Sequence, residues 1–234
     1  MKVLIIIPAY NESENIERVV KNIKNNCPEY DYLIINDCST DNTAQICKEN
    51  GFNYIDLCCN LGIGGGVQSG YIYAHRNGYD YAVQIDGDGQ HDPQYISQMI
   101  ETLEKEKADM VVGSRFITKE GFQSSGMRRF GINFLSALIR LVCGAQVKDV
   151  TSGFRVVNRD YIEFFSKEYA DDYPEPEAIV AVTLSGGKVV EAPVVMYERE
   201  GGVSSISPFK SIYYMIKVSL AILLYKITYK GGAK

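Results

Sequence analysis

Three aspartates and a histidine stand within seven residues in the stretch VQIDGDGQHDP, Val83 to Pro93, directly after a run with the character of a buried strand. Carboxylates this close repel one another by roughly 4 kcal/mol at 4 Å when the effective dielectric is about 20, so they need solvent or a cation between them. A calcium loop of the helix-loop-helix type is excluded, because its sixth position is His91 rather than Gly and its twelfth is Ser97 rather than a bidentate Glu. The nearby glycine-rich run NLGIGGGVQSG has neither a G-x-G-x-x-G register nor a Gly-Lys-Ser/Thr ending, so a dinucleotide dehydrogenase and a P-loop enzyme both lose their defining feature. What remains is Asp86-Gly87-Asp88 at a strand end. Two hard carboxylates, with Gln90 as a further oxygen donor, suit Mg²⁺ or Mn²⁺ that also binds substrate phosphates. Asp92, beside Pro93, reads as the cap of a following helix.

The elements that must hold these residues follow from periodicity. The β-branched runs KVLIII, YLIIND, NYIDL, YAVQID and DMVVGS alternate with helical patterns such as SENIERVVKNIKNN and TDNTAQICKEN. That alternation predicts βαβ units and a parallel sheet covered on both faces. Ser13, and Ser39 or Thr40, are acceptable helix starts. In such sheets ligands bind at the carboxyl ends of the strands. Pro8 to Glu12, Asp37, Asn60 to Gly66 and Asp86 to Asp92 all fall there, so four polar segments converge on one rim.

Beyond residue 117 the pattern changes to an amphipathic helix carrying Arg128, Arg129 and Arg140, then DVTSGFRVVNRD, then a helical stretch near Pro176 to Leu184. KVVEAPVVMYE reads as a strand that is at an edge or bulged, because it contains Pro193. Residues 1–205 form the expected domain and 206–234 an appendage. The first 117 residues carry 9 basic and 17 acidic side chains, whereas residues 201–234 carry five lysines and no acid. An acidic body argues against nucleic acid as the main ligand. The appendage is apolar and aromatic, but its longest uncharged run, Val218 to Tyr225, has eight residues. That is far short of the ~20 a spanning helix needs. It fits helices lying on a membrane surface, each lysine contributing about 1 kcal/mol near anionic lipid. A core or dimer helix is the competing reading. On an ideal helix Lys226 and Lys230 point away from Lys210 and Lys217, which two helical pieces or a partner protein would reconcile. The six cysteines lack C-x-x-C spacing and suggest a reducing compartment, and MKVLIIIPAYNE reads as a first strand rather than a signal peptide.

Taken together and in this order, IPAYNE, NDCSTDNT, NLGIGGGVQSG, DGDGQHDP, GSRF and DVTSGFR resemble family 2 glycosyltransferases of the GT-A fold. With REGGVSS and the hydrophobic C-terminal stretch, the pattern is most similar to the dolichyl- or polyprenyl-phosphate sugar synthases. The resemblance implies an α/β, Rossmann-like and mostly parallel sheet flanked by helices. It places Pro8, Ala9, Tyr10 and Glu12 on the base and ribose, Asp37 on the base, and Asn60, Gly62, Asp86 and Gly87 along the nucleotide. It gives the metal to Asp86, Asp88 and Gln90. Arg115, Arg128 or Arg129, and Arg199 are to face the diphosphate and the acceptor phosphate, with Asp149, Ser152, Gly153 and Arg155 on the acceptor side. Asn36 departs from the family's usual aspartate, and Ile63 stands where a lysine is common.

The activity so implied is an inverting transfer of a hexosyl unit from a nucleotide diphosphate sugar, expected to be a UDP-sugar, to polyprenyl phosphate. Mg²⁺ or Mn²⁺ is the expected cofactor, and Asp88, Asp149 and Arg115 are the expected catalytic residues. The expected place is the cytoplasmic face of the membrane, with a peripheral attachment that a small membrane protein could complete. A sugar hydroxyl of a surface polysaccharide is the alternative acceptor, requiring a base for which Asp149 or Glu177 is the candidate. A non-catalytic nucleotide-sugar-binding subunit is the rival from another class. The sequence leaves homo-oligomer formation open.

Overall fold

The structure, a computed structural model, describes residues 1–118, 120–121, 126–198 and 208–229, with 127 and 208–212 described by their backbone alone. Seven strands form one sheet: β1 (Val3–Ala9), β2 (Asp31–Asn36), β3 (Tyr54–Asp56), β4 (Tyr81–Gln84), β5 (Met110–Ser114), β6 (Arg155–Asn158) and β7 (Val189–Pro193). Their order is β3-β2-β1-β4-β6-β5-β7. Every pairing is parallel except those of β6, which runs antiparallel to both β4 and β5. The expected mostly parallel sheet is therefore present, with β7 and its Pro193 at an edge.

The sheet has helices on both faces, and the central strand shows why. Along β1, Leu4 and Ile6 join one core while Val3, Ile5 and Ile7 join the other. Period-2 alternation between two buried faces yields an unbroken apolar run, and each such side chain contributes about 1.5–3 kcal/mol. The side of Leu4 and Ile6 is covered by α3 (Gly62–Arg76), α5 (Gly126–Cys143), α6 (Arg159–Lys167) and α7 (Pro174–Leu184). The other is covered by α1 (Ile16–Asn26) and α4 (Ile96–Glu106), with α2 (Thr43–Glu49) beside them.

Asp92 caps as expected, its Oδ1 accepting from the Gln94 N–H at 3.1 Å with Pro93 in the first turn. The other expected caps are corrected. Helix α1 starts after Asn15 and α2 after Asn42, without a side-chain cap. The Ser13 N–H instead donates to Asp41 at 3.0 Å, and the Ser39 hydroxyl donates to Asn36 at 2.5 Å, so both serve the rim.

The C-terminal stretch is one helix rather than two, α8 (Pro208–Thr228), packed on α5 and α7. Val218 and Ile222 are buried there, and Lys217 is tied to Asp172 in the loop before α7. The opposite face exposes Ile216, Leu220, Leu223, Leu224 and Ile227, the last 78% exposed. The helix is thus apolar on its inner and outer faces, a departure from the amphipathic pattern expected, because Ile and Leu rather than polar residues occupy the outer face. Among the described residues no helix is long and apolar enough to cross a membrane.

Candidate functional site

The carboxyl ends of β1, β2 and β4 bring three of the expected segments together. The Asp37 N–H donates to the Ala9 carbonyl at 2.9 Å, continuing the β1–β2 ladder into the rim. The Asn11 side chain accepts from the Thr40 N–H at 2.8 Å, and the Glu12 N–H donates to the Thr43 hydroxyl at 2.9 Å. Asp37 is buried and accepts from the Leu61 N–H at 2.7 Å, while Asn60 donates to the Asp37 carbonyl at 3.1 Å. This pins the start of α3 to the end of β2. Gly87 lies against Pro8, Ala9 and Glu12, so close that a Cβ there would stand 3.1 Å from the Pro8 carbonyl. The first-strand segment and the acidic turn therefore share one crevice, at whose edge the Tyr10 ring is exposed.

Asn36 has a local reason to be an amide. Its Nδ2 donates to Asp56 at 2.6 Å and its Oδ1 accepts from Ser39. A carboxylate in that place would face Asp56 without a proton to give.

Within the acidic turn, Asp86 and Asp88 are both half-exposed, and the Asp88 Oδ1 accepts from the Gln90 N–H at 3.0 Å. The Gln90 amide donates to the Tyr197 carbonyl at 3.1 Å, which ties the turn to the segment after β7. Gly153 makes room for Asp86: a Cβ there would come within 2.8 Å of its carboxylate. His91 is buried, stacks on Phe154 at 5.1 Å and accepts at Nδ1 from the Asp86 N–H at 3.1 Å. Its proton is thereby assigned to Nε2. Burial pushes its pKa down to about 4 against the opposing pull of Asp88, so it stands neutral near pH 7. His91 shapes the turn from behind.

Divalent ions of the Mg²⁺ or Mn²⁺ type fit the chemistry of this donor set. The two carboxylates are hard ligands on one turn, and the described residues hold no group of three or more His, Cys, Asp or Glu side chains that could enclose an ion. Such a site supplies part of an octahedral shell and leaves the rest to substrate phosphate and water. Arg18 of α1 was not singled out from sequence. It reaches the Asp88 carbonyl at 3.4 Å and lies over Gly89, adding positive charge beside the acidic turn.

On the other flank, Arg115 and Asp149 are given to each other. Arg115 Nε meets Asp149 Oδ2 at 2.7 Å, Nη2 meets Oδ1 at 2.6 Å, and the Arg115 N–H also donates to Oδ2 at 3.1 Å. Asp149 is fully buried and its own N–H is held by Glu191 at 2.9 Å. It presents no oxygen to solvent and would have to part from Arg115 before accepting a substrate proton. Arg128 is exposed at the start of α5, and the Arg129 guanidinium lies 3.8 Å from the Phe116 ring centre. Ser152 is buried, and its carbonyl accepts from Arg155 Nε at 2.7 Å. Arg155 is itself buried in β6. Arg199 lies outside the described residues.

The first turn of α7 adds residues that the motifs did not reveal. Glu175 is half-buried, its carboxyl pushed up by burial, with Arg155 opposing and Asp86 reinforcing the shift. Glu177 points elsewhere: burial and Asp172 raise its pKa to about 7 against the pull of Lys217. Tyr214 of α8 packs edge-on against Tyr173 at 4.6 Å, bringing the C-terminal helix to the same wall.

Comparison with known proteins agrees with this architecture. A family model described as "Glycosyl transferase family 2" matches residues 4–165. A polyprenol monophosphomannose synthase of Mycolicibacterium smegmatis is 27% identical over 93% of this chain and 86% of its own length. A UDP-N-acetylglucosamine–dolichyl-phosphate N-acetylglucosaminyltransferase of Methanococcus voltae is 29% identical over 95% of this chain and 98% of its own. Among solved structures, glucosyl-3-phosphoglycerate synthase from Mycobacterium tuberculosis, in complex with Mn²⁺, uridine diphosphate and phosphoglyceric acid, superposes with a TM-score of 0.71. That match covers 97% of this chain and 78% of the other at 18% identity, a likeness of fold.

Proposed function

The chain belongs to glycosyl transferase family 2, and from that premise we propose that it transfers a hexosyl unit from a nucleotide diphosphate sugar to polyprenyl phosphate, with inversion at the anomeric carbon. The observation that carries this reading is the packing of Gly87 on Pro8 and Ala9, which sets Asp86 and Asp88 beside the first-strand segment. The activities named for the polyprenol monophosphomannose synthase and the dolichyl-phosphate N-acetylglucosaminyltransferase, both on polyprenyl-type phosphates, support the acceptor.

Tyr10 packs on the base, Glu12 and Asp37 hold the ribose and base, and Asn60 and Gly62 line the nucleotide. Asp86 and Asp88, with the amide oxygen of Gln90, would hold Mg²⁺ or Mn²⁺, whose charge would stabilise the departing diphosphate. Arg18 adds charge at that turn, in part standing in for the lysine that Ile63 displaces. Arg115, fixed by Asp149, with Arg128, Arg129 and Arg199, draws the acceptor phosphate toward the anomeric carbon, while Ser152 and Arg155 shape the floor. A lipid phosphate is already anionic and needs no strong base. The burial of Asp149 and the turning of Glu177 toward Lys217 and Asp172 favour it over a sugar hydroxyl.

UDP-sugars are the preferred donors in this reading. The apolar outer face of α8, in the stretch 206–234, seats the 1–205 body on the cytoplasmic face of the membrane, alone or with a small membrane protein. The test offers radiolabelled UDP-glucose, UDP-N-acetylglucosamine and GDP-mannose with polyprenyl phosphate and Mg²⁺ or Mn²⁺. Label in the organic phase from one donor supports the proposal; no lipid product from any donor overturns it.

A further inference from the structure

A polar corner lies behind the acidic turn. Gln84 of β4 and Arg155 of β6 stand opposite each other in the antiparallel register, both fully buried. Arg155 is anchored by Nε to the Ser152 carbonyl and by Nη2 to the Val150 carbonyl at 3.3 Å. Among the described residues its Nη1 has no hydrogen-bond partner, nor does Gln84 Oε1, while Gln84 Nε2 reaches Asp86 at 3.5 Å. Buried polar groups left unmatched cost about 1–3 kcal/mol each, so two on paired strands next to Asp86 call for a functional explanation.

The opposite wall is the start of α7, and its position is fixed. The Gly64 N–H donates to the Asp171 carbonyl at 3.1 Å, and a Cβ at Gly64 would fall 2.0 Å from the Ala170 carbonyl, so this loop lies directly on α3. Tyr173 adopts a left-handed conformation, φ 50°, immediately before Pro174. That turn carries Glu175 to a place within electrostatic reach of both Arg155 and Asp86. The half-buried Tyr169 and the Tyr173–Tyr214 pair supply aromatic surface on this side.

We propose that Glu175 is a sugar-specificity residue that binds hydroxyl groups of the donor's hexosyl unit, with Arg155 as the positioning residue behind it. This rests on the reading of the site as a nucleotide-sugar site. If Asp86 fixes the diphosphate, the hexose is one bond further on and must lie in the space next to Asp86. Hexose hydroxyls both donate and accept, which suits a carboxyl backed by a guanidinium. The apolar face of a sugar ring suits tyrosine. A second phosphate does not suit a corner that already holds Glu175 and Asp86.

The test is calorimetric titration of the full chain, with Mn²⁺, by UDP and UDP-glucose and by GDP and GDP-mannose, for wild type, Glu175→Gln and Glu175→Ala. Both variants are expected to hold the free diphosphates within about twofold of wild type and to lose tenfold or more in affinity for the matching sugar nucleotide, Ala more than Gln. Arg155→Lys is expected to reproduce part of that sugar-selective loss. Equal loss for diphosphate and sugar nucleotide, or no loss for either while turnover falls, overturns the inference and leaves the transferase reading standing. Failure of wild type to bind any of the four removes both.

Discussion

The rim at the ends of β1, β2 and β4, proposed to hold the donor, and the flank of Arg115 and Asp149, proposed to face the acceptor, are built on different principles. At the rim, Asp86 and Asp88 sit half-exposed on a short turn at a strand end, and the buried Asp37 is fastened beside them by backbone hydrogen bonds. On the flank the charged groups are buried and held by fixed partners: Arg115 by Asp149, Arg155 by backbone carbonyls. A turn can lose a side chain and keep its shape, whereas a buried pair that loses one member leaves an uncompensated charge. The first region should therefore separate activity from stability, and the second should couple them.

The largest expected effect is at the rim. Asp88→Asn should lower transfer by about 10³-fold or more through loss of metal-assisted leaving-group stabilisation. Its melting temperature should stay within a degree or two, read by label partition and by thermal denaturation. On the flank, Asp149→Asn should cost about 3–5 kcal/mol in urea unfolding because Arg115 stays buried without its carboxylate. Unchanged stability with a loss confined to the chemical step would instead make Asp149 a catalytic base and erase the contrast.

A smaller effect is expected on α8. Leu220→Glu with Leu224→Glu should weaken binding to phosphatidylglycerol vesicles at least tenfold, about 1.4 kcal/mol. Nucleotide binding should be unaffected, since both side chains are exposed. Retained vesicle binding would mean that another surface makes the attachment. The smallest effect concerns Glu177. Its folded pKa of about 7 lies above the ordinary 4.5, so the native state binds the extra proton and loses stability as pH rises from about 4.5 to 7. Discounted for its partial exposure, Glu177→Gln should gain about 1 kcal/mol over wild type at pH 8 and nothing at pH 4. A large loss of turnover in that variant would restore Glu177 as a base.

The same contrast governs what could be read from the sequence. Strands β1, β2, β4 and β5 are continuous apolar runs, and the polar segments that follow them are local in sequence, so their meeting at one rim could be foreseen from alternation alone. Strand β6 could not: it is four residues long, and what marks it is pairing with β4 and β5, far off in sequence. Asp149 was legible as a special residue but not as the buried partner of Arg115, thirty-four positions away. Glu175 was passed over for Glu177 because a first turn rotates neighbouring carboxylates to different surroundings, and only tertiary packing decides which one comes within electrostatic reach of Arg155 and Asp86. The lysines of α8 suggested a helix at a membrane surface, but the pairing of Lys217 with Asp172, forty-five positions away, depends on tertiary packing that no local pattern shows.

In the proposed reaction the rim and the flank meet over one pair of substrates, a nucleotide sugar and a lipid phosphate. The most direct measurement is the stoichiometry of turnover: nucleoside diphosphate released against polyprenyl phosphate consumed, with Mg²⁺ or Mn²⁺ present. One diphosphate released per glycosylated lipid phosphate, and none without the lipid, is the predicted result. Release that ignores the lipid phosphate, or glycosyl transfer only to a sugar hydroxyl, would contradict it.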